Sequence, residues 1–202
     1  MDDEARNQSF LTALVTEHFV LQSTRGTITG EATGRAALYL GALSSALIAL
    51  GFAATKASVF GPFVAAVLPL VVVLGVFTFL RLVEIGLEDV QHLQAMQRIR
   101  RYYRSLVPEG PQYFPDIADE EELVGDVNRY MAVSMTVGLQ LLLTAASAIG
   151  MINSIVAGVG IALAVSALGG GLAWSASIGG GATVLFMVLH LRYELKRARA
   201  AM

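Results

Sequence analysis

The one place where metal-ligating residues fall at ligand spacing is Asp89-Val90-Gln91-His92, with Glu84 and Glu88 on neighbouring turns. An Asp-x-x-His pair puts a carboxylate and an imidazole on one helical face. A di-iron bundle needs two such elements plus two further inward carboxylates, and the chain carries one. The expectation is therefore a surface Glu88–His92 pair at four-residue helical spacing, not a metal centre. Asp89 and His92 also lie near an apolar stripe. Buried there in an oligomer, they would serve as polar register pins or as a pH-sensitive contact. His190 sits beside Arg192 at the end of a long apolar stretch and reads as an interfacial histidine in preference to a proton relay. Asp119, Glu120, Glu121 and Glu122 crowd a helix start, where carboxylates meet the positive end of the helix dipole, so capping is preferred to cation binding.

Beyond these the chemistry is sparse. There is no phosphate-loop GxxxxGK, no HExxH and no nucleophile elbow, and the serines have no His and carboxylate arranged to activate them. Cysteine is absent, which removes disulfides, thiolate metal sites and cysteine nucleophiles together. No catalytic residue, cofactor or metal ion is expected, and the chain is read as a non-enzyme.

The elements around these residues belong to a membrane. Residues 131–191 contain no Asp, Glu, Lys or Arg, more apolar chain than the interior of a soluble domain can hide. About 20 residues cross the hydrocarbon core as a helix, so length alone allows two or three crossings. Arg81, Arg98, Arg100, Arg101, Arg104 and Arg129 precede the stretch, and Arg192, Lys196, Arg197 and Arg199 follow it. Basic residues stay cytoplasmic, so both ends share a compartment and the number of crossings is even. Two spans fit, with a surplus over roughly residues 153–171. That surplus either lengthens a helix, forms an outer helix or re-enters the bilayer. The composition agrees: 55% of the 202 residues are apolar, 15% are charged, and the mean hydropathy is +0.62. A formal charge of −2 gives no reason to expect nucleic acid as a partner. The acidic start lacks the basic-then-apolar pattern of a signal peptide, so insertion is expected to use an internal span.

The reading is thus all-α: an integral membrane helix bundle with four transmembrane helices and a cytoplasmic helical hairpin. Residues 1–35 hold a cytoplasmic amphipathic helix over 9–25 and a Gly-rich entry segment, with Gly26, Gly30 and Gly34 four apart. That segment reads equally as a helical ridge or as a loop, since each Gly costs about 1 kcal/mol in a helix. Residues 36–83 form a first transmembrane hairpin, 36–54 and 62–83, joined by a short outer turn, with Pro69 kinking the second span. Gly41, Ser45 and Ala49 continue a small-residue ridge suited to close helix packing. Residues 84–130 form the cytoplasmic hairpin. Its first arm prolongs the second span through Leu82, Ile85, Leu93, Met96, Ile99, Tyr103 and Leu106, projecting about 35 Å beyond the membrane at 1.5 Å per residue. Residues 131–202 hold the second transmembrane hairpin, the surplus and a basic tail. Candidate packing or pore-lining residues there are Ser134, Gly138, Gln140, Asn153 and Gly180, with Trp174 and Tyr193 as interfacial anchors.

The block from Glu17-His18-Phe19 through Gly34-Arg35-Ala36 to Leu43-Ser44-Ser45-Ala46 resembles uncharacterised small multi-span membrane proteins of bacteria. The layout, a cytoplasmic helix followed by spans and a helical insert, is similar to that of small transmembrane effectors of prokaryotic defence systems. The resemblance implies a multi-pass protein of the inner or plasma membrane and assigns no site residue. Two functions are open. In the first, a homo-oligomer in the lipid bilayer forms or gates a pore, lined by Ser, Thr, Gln140 and Asn153 or gated by dewetting. In the second, a membrane-anchored scaffold or regulatory subunit binds a cytoplasmic protein through its helices. In both, the N- and C-termini are cytoplasmic. A lipid- or small-molecule-binding role, with the surplus lining the pocket, is a third.

Overall fold

The computed structural model describes residues 3–114 and 144–201. Among these residues the chain is all-α, with five helices: α1 (Asp3–Ala53), α2 (Ala57–Ser105), the single turn α3 (Gly110–Tyr113), α4 (Ala145–Ala167) and α5 (Leu172–Ala201). The four long ones are each long and apolar enough to cross a membrane. The cytoplasmic hairpin expected over 84–130 lies partly outside the described residues, as do the acidic run 119–122 and Ser134, Gly138 and Gln140.

The described chain divides into two units. The first, Met1–Glu31 with Ile85–Thr136, contains the start of α1 and the end of α2. Its apolar seam runs through Leu21 and Ile28 on α1 and Ile85 and Ile99 on α2. Phe10 meets Tyr102 edge to face, with ring centroids 5.4 Å apart. Across the same pair of helices Arg25 holds Asp89 in a two-pronged ion pair, 2.7 and 3.1 Å. These contacts decide the Gly-rich segment between 25 and 35, which is helical within α1. Burial of Ile28 and the anchor at Arg25 outweigh the intrinsic helix cost of Gly26 and Gly30.

The second unit, Ala32–Glu84 with Val137–Met202, contains the apolar parts of α1 and α2 together with α4 and α5. Leu38, Phe52, Leu70 and Phe77 point outward and are largely exposed. An apolar exterior is the arrangement a bilayer selects, because lipid covers it. Helix α2 begins at Ala57, ahead of Pro62, so the connection from α1 is only Ala54, Thr55 and Lys56.

The segment 153–171, expected as surplus, is mostly the second half of α4, and α4 is the third candidate span. Local signals set that register. Thr144 caps the helix start by accepting from the Ser147 N–H at 3.0 Å. At the other end Gly170 N–H bonds to Val165 C=O and Gly169 N–H to Ser166 C=O, a Schellman closure. Gly169 supplies the left-handed residue that closure needs, with φ 91°. The chain then turns directly into α5.

Candidate functional site

Helices α4 and α5 cross where both lack side-chain bulk. A Cβ on Gly158 would overlap the Thr183 hydroxyl and come within 2.6 Å of the Gly179 carbonyl. A Cβ on Gly179 would meet Ala162 and the Gly158 carbonyl, both at 2.6 Å. Gly158 and Ala162 on one helix therefore face Gly179 and Thr183 on the other, a small-xxx-small contact from both sides. Gly180, the expected packing residue, instead has open space around its Cβ direction, and its neighbour Gly179 makes the contact.

This close approach brings polar side chains into register along the interior. Asn153 is 1% exposed and accepts from the Tyr39 hydroxyl at 3.3 Å, tying α4 to α1. The site exists because residue 75 is glycine: a Cβ there would collide with the Asn153 amide and the Tyr39 ring. One residue on, Ser154 Oγ donates to the Gly150 carbonyl at 2.7 Å and lies 3.0 Å from His190 Nδ1. With its proton committed to Gly150, Ser154 accepts from Nδ1–H, which leaves Nε2 of the neutral ring as an acceptor. His190 is half-buried. It packs edge to face on Phe79, centroids 4.5 Å apart, inside the bundle.

Toward the C-terminal end of α5, Glu194 is 5% exposed. Its two oxygens accept from Thr144 Oγ1 at 2.7 Å and Ser147 Oγ at 2.6 Å. The carboxylate therefore sits at the N-terminus of α4, where charge-assisted hydrogen bonds and the helix dipole both favour it. Arg197 closes the series with bonds of 2.6–3.0 Å to Glu84 on α2.

His190, Glu194 and Arg197 lie at four- and three-residue steps on one face of α5, and Thr144, Ser147 and Ser154 share a face of α4. That spacing was readable in the sequence, but the basic residues around Glu194 drew attention to flanking charge instead. Its partners are hydroxyls inside an uncharged stretch, which no charge-based reading finds.

Beside this column lies a cleft of about 260 Å³. Val72, Val76, Phe186 and Leu189 wall it, and Asn153, Ser154 and His190 also line it. Tyr193, expected as an interfacial anchor, lines it too, with its ring centroid 6.0 Å from Phe79.

The chain matches no family model, no curated protein and no solved structure.

The remaining sequence candidates fall elsewhere. Gly41 and Ser45 are exposed and Ala49 is half-buried, and a Cβ on Gly41 would meet nothing within 4 Å. Asp89 is held by Arg25. His92 Nδ1 donates to the Glu88 backbone carbonyl at 2.7 Å, a contact to the main chain in place of the expected side-chain pair. Among the described residues no group of three His, Cys, Asp or Glu side chains is placed to hold a metal ion. What the column does is clasp helices: each side-chain pair joins two of them.

Proposed function

We propose that the chain is a non-enzymatic, multi-pass protein of the plasma membrane that assembles as a homo-oligomer and forms or gates a pore on the shared axis. Both termini would be cytoplasmic, because Arg and Lys flank the apolar segments on that side. The observation that carries the reading is the exposed face of α1. There Gly34, Gly41 and Ser45 form notches between the exposed Leu38, Ile48 and Phe52, and nothing in the described chain fills the space over Gly34 or Gly41. Small residues on a lipid-facing helix lose contact with acyl chains and gain it from a second backbone. The interior polar groups of this unit pair within one chain, so a polar path would run between copies. Ser44 and Ser45 would line it, or apolar residues would gate it by dewetting.

The absence of cysteine makes the test direct. Gly41→Cys in native membranes is expected to cross-link on oxidation into a dimer, whereas Phe77→Cys, on an exposed apolar position of α2, is not. The purified protein is expected to conduct in planar bilayers. A monomer in mild detergent with neither cross-link nor conductance overturns the proposal.

A second reading, a scaffold that captures a protein through the first unit, is favoured by buried polar atoms there. His18 Nδ1, Gln97 Oε1 and Tyr103 Oη have no hydrogen-bond partner among the described residues. Partner binding retained after the spans are exchanged for unrelated ones would favour this reading over the pore.

A further inference from the structure

The cleft beside the polar column is walled by apolar side chains, yet two polar groups reach it with bonding capacity to spare. Asn153 Oδ1 accepts from Tyr39, and its amide N–H₂ makes no hydrogen bond among the described residues, although the side chain is 99% buried and lines the cleft. His190 Nδ1 lies against Ser154, and the ring also donates to the Phe186 backbone carbonyl one turn earlier, the i−4 contact that an Nδ1–H makes, so Nε2 is the acceptor of the neutral ring. Both residues line the cleft. One donor and one acceptor side by side complement a hydroxyl group, which both gives and takes a hydrogen bond.

The surroundings narrow the class further. At the rim, Val76 and Leu189 are exposed on an apolar face, so the cleft opens where acyl chains lie. His190 precedes Arg197 by seven residues, placing the polar floor about 10 Å inward from that charge at 1.5 Å per residue. Arg192 lies nearer, two residues from His190, so the floor sits within about 10 Å of the basic flank, the interfacial zone that a glycerol backbone occupies. Among the described residues no Arg or Lys lines the cleft; Arg197 is bound to Glu84, and the Glu194 carboxylate lies one turn of α5 from His190. A phosphate group would find no charge partner in that lining, and a neutral headgroup needs none. We propose that the cleft binds a neutral glycerolipid with a free hydroxyl, of the diacylglycerol class, the hydroxyl donating to His190 Nε2 and accepting from the Asn153 amide. The site stands whether or not the chain forms a pore, because every residue in it belongs to one copy.

The test uses the full chain in phosphatidylcholine nanodiscs doped with diacylglycerol carrying a diazirine in one acyl chain. A second probe is identical except that its hydroxyl is a methyl ether. Adducts are expected on the cleft walls, including Val72, Val76 and Leu189, with the ether labelling about fivefold less, as the loss of a hydrogen bond to a buried acceptor implies. His190→Leu is expected to abolish the difference between the probes. Val76→Trp, which fills the cleft from its rim and leaves the polar floor intact, is expected to remove the adducts while helicity is unchanged. Equal labelling by the two probes on the native chain, adducts mapping away from the cleft, or adducts surviving in Val76→Trp each overturns the proposal.

Discussion

In the unit formed by Ala32–Glu84 and Val137–Met202, the buried side chains of Ser147, Ser154 and Glu194 each meet a partner on another helix. In the unit formed by Met1–Glu31 and Ile85–Thr136, His18 Nδ1, Gln97 Oε1 and Tyr103 Oη are buried and meet none among the described residues. The difference follows from how closely the backbones approach. Glycines at 75, 158 and 179 let helices of the second unit come near enough for short side chains to bond across. In the first unit the seam is built from Leu, Ile, Phe and Tyr, and the long Arg25 reaches across to Asp89. Small residues are thus what make a polar interior affordable to a membrane bundle.

The largest expected effect tests that claim at the crossing. Gly158→Val pushes a branched side chain into Thr183 and the Gly179 carbonyl and is expected to destabilise the protein by about 3 kcal/mol, read from thermal unfolding in detergent. Gly179→Ala should also destabilise, by less. Gly180→Ala, one residue away with open space, is expected to be neutral or to stabilise by up to about 1 kcal/mol through helix propensity. Equal costs at 179 and 180 would remove the close crossing from the explanation. Next is Glu194→Leu, which strands the hydroxyls that Thr144 and Ser147 donate to the carboxylate. A loss of about 2 kcal/mol is expected, with Glu194→Gln losing about half as much because one acceptor survives.

Much of the architecture was legible because it depends on local composition. The apolar seam of α2 from Leu82 through Ile85, Ile99 and Tyr103 follows helical periodicity, and α2 runs unbroken from Ala57 to Ser105 as that pattern implies. The position of the third span was not legible. Residues 131–191 contain no charge to fix a register, and the start of α4 rests on one Thr144 cap and its end on the left-handed Gly169. The candidate site was less legible still. Asn153 stood out as a polar residue in apolar chain, but its partner Tyr39 is 114 residues away, and the space for both is made by Gly75, which looks like any other glycine in a span. Contacts between distant helices leave no trace in spacing along one of them. The same limit applied to Asp89, whose partner Arg25 lies 64 residues earlier.

The two smallest effects belong to the first unit and differ in sign. The Arg25–Asp89 pair is two-pronged, but its side chains are 32% and 30% exposed, so a double-mutant cycle with Ala at each position is expected to give a coupling of about 1 kcal/mol that shrinks at high salt. Gln97 should behave in the opposite way. Its Oε1 is buried without a partner, so the native chain carries a desolvation cost that no bond offsets. Gln97→Met keeps the length of the side chain and removes the polar atom, and it is expected to raise stability by about 0.5 kcal/mol. A loss of stability instead would mean that the Gln97 carbonyl is satisfied when the protein is assembled. The same substitution would then separate the two functional readings: a partner protein that supplies the missing donor would bind Gln97→Met more weakly, whereas a homo-oligomer joined through α1 in the membrane would assemble as before.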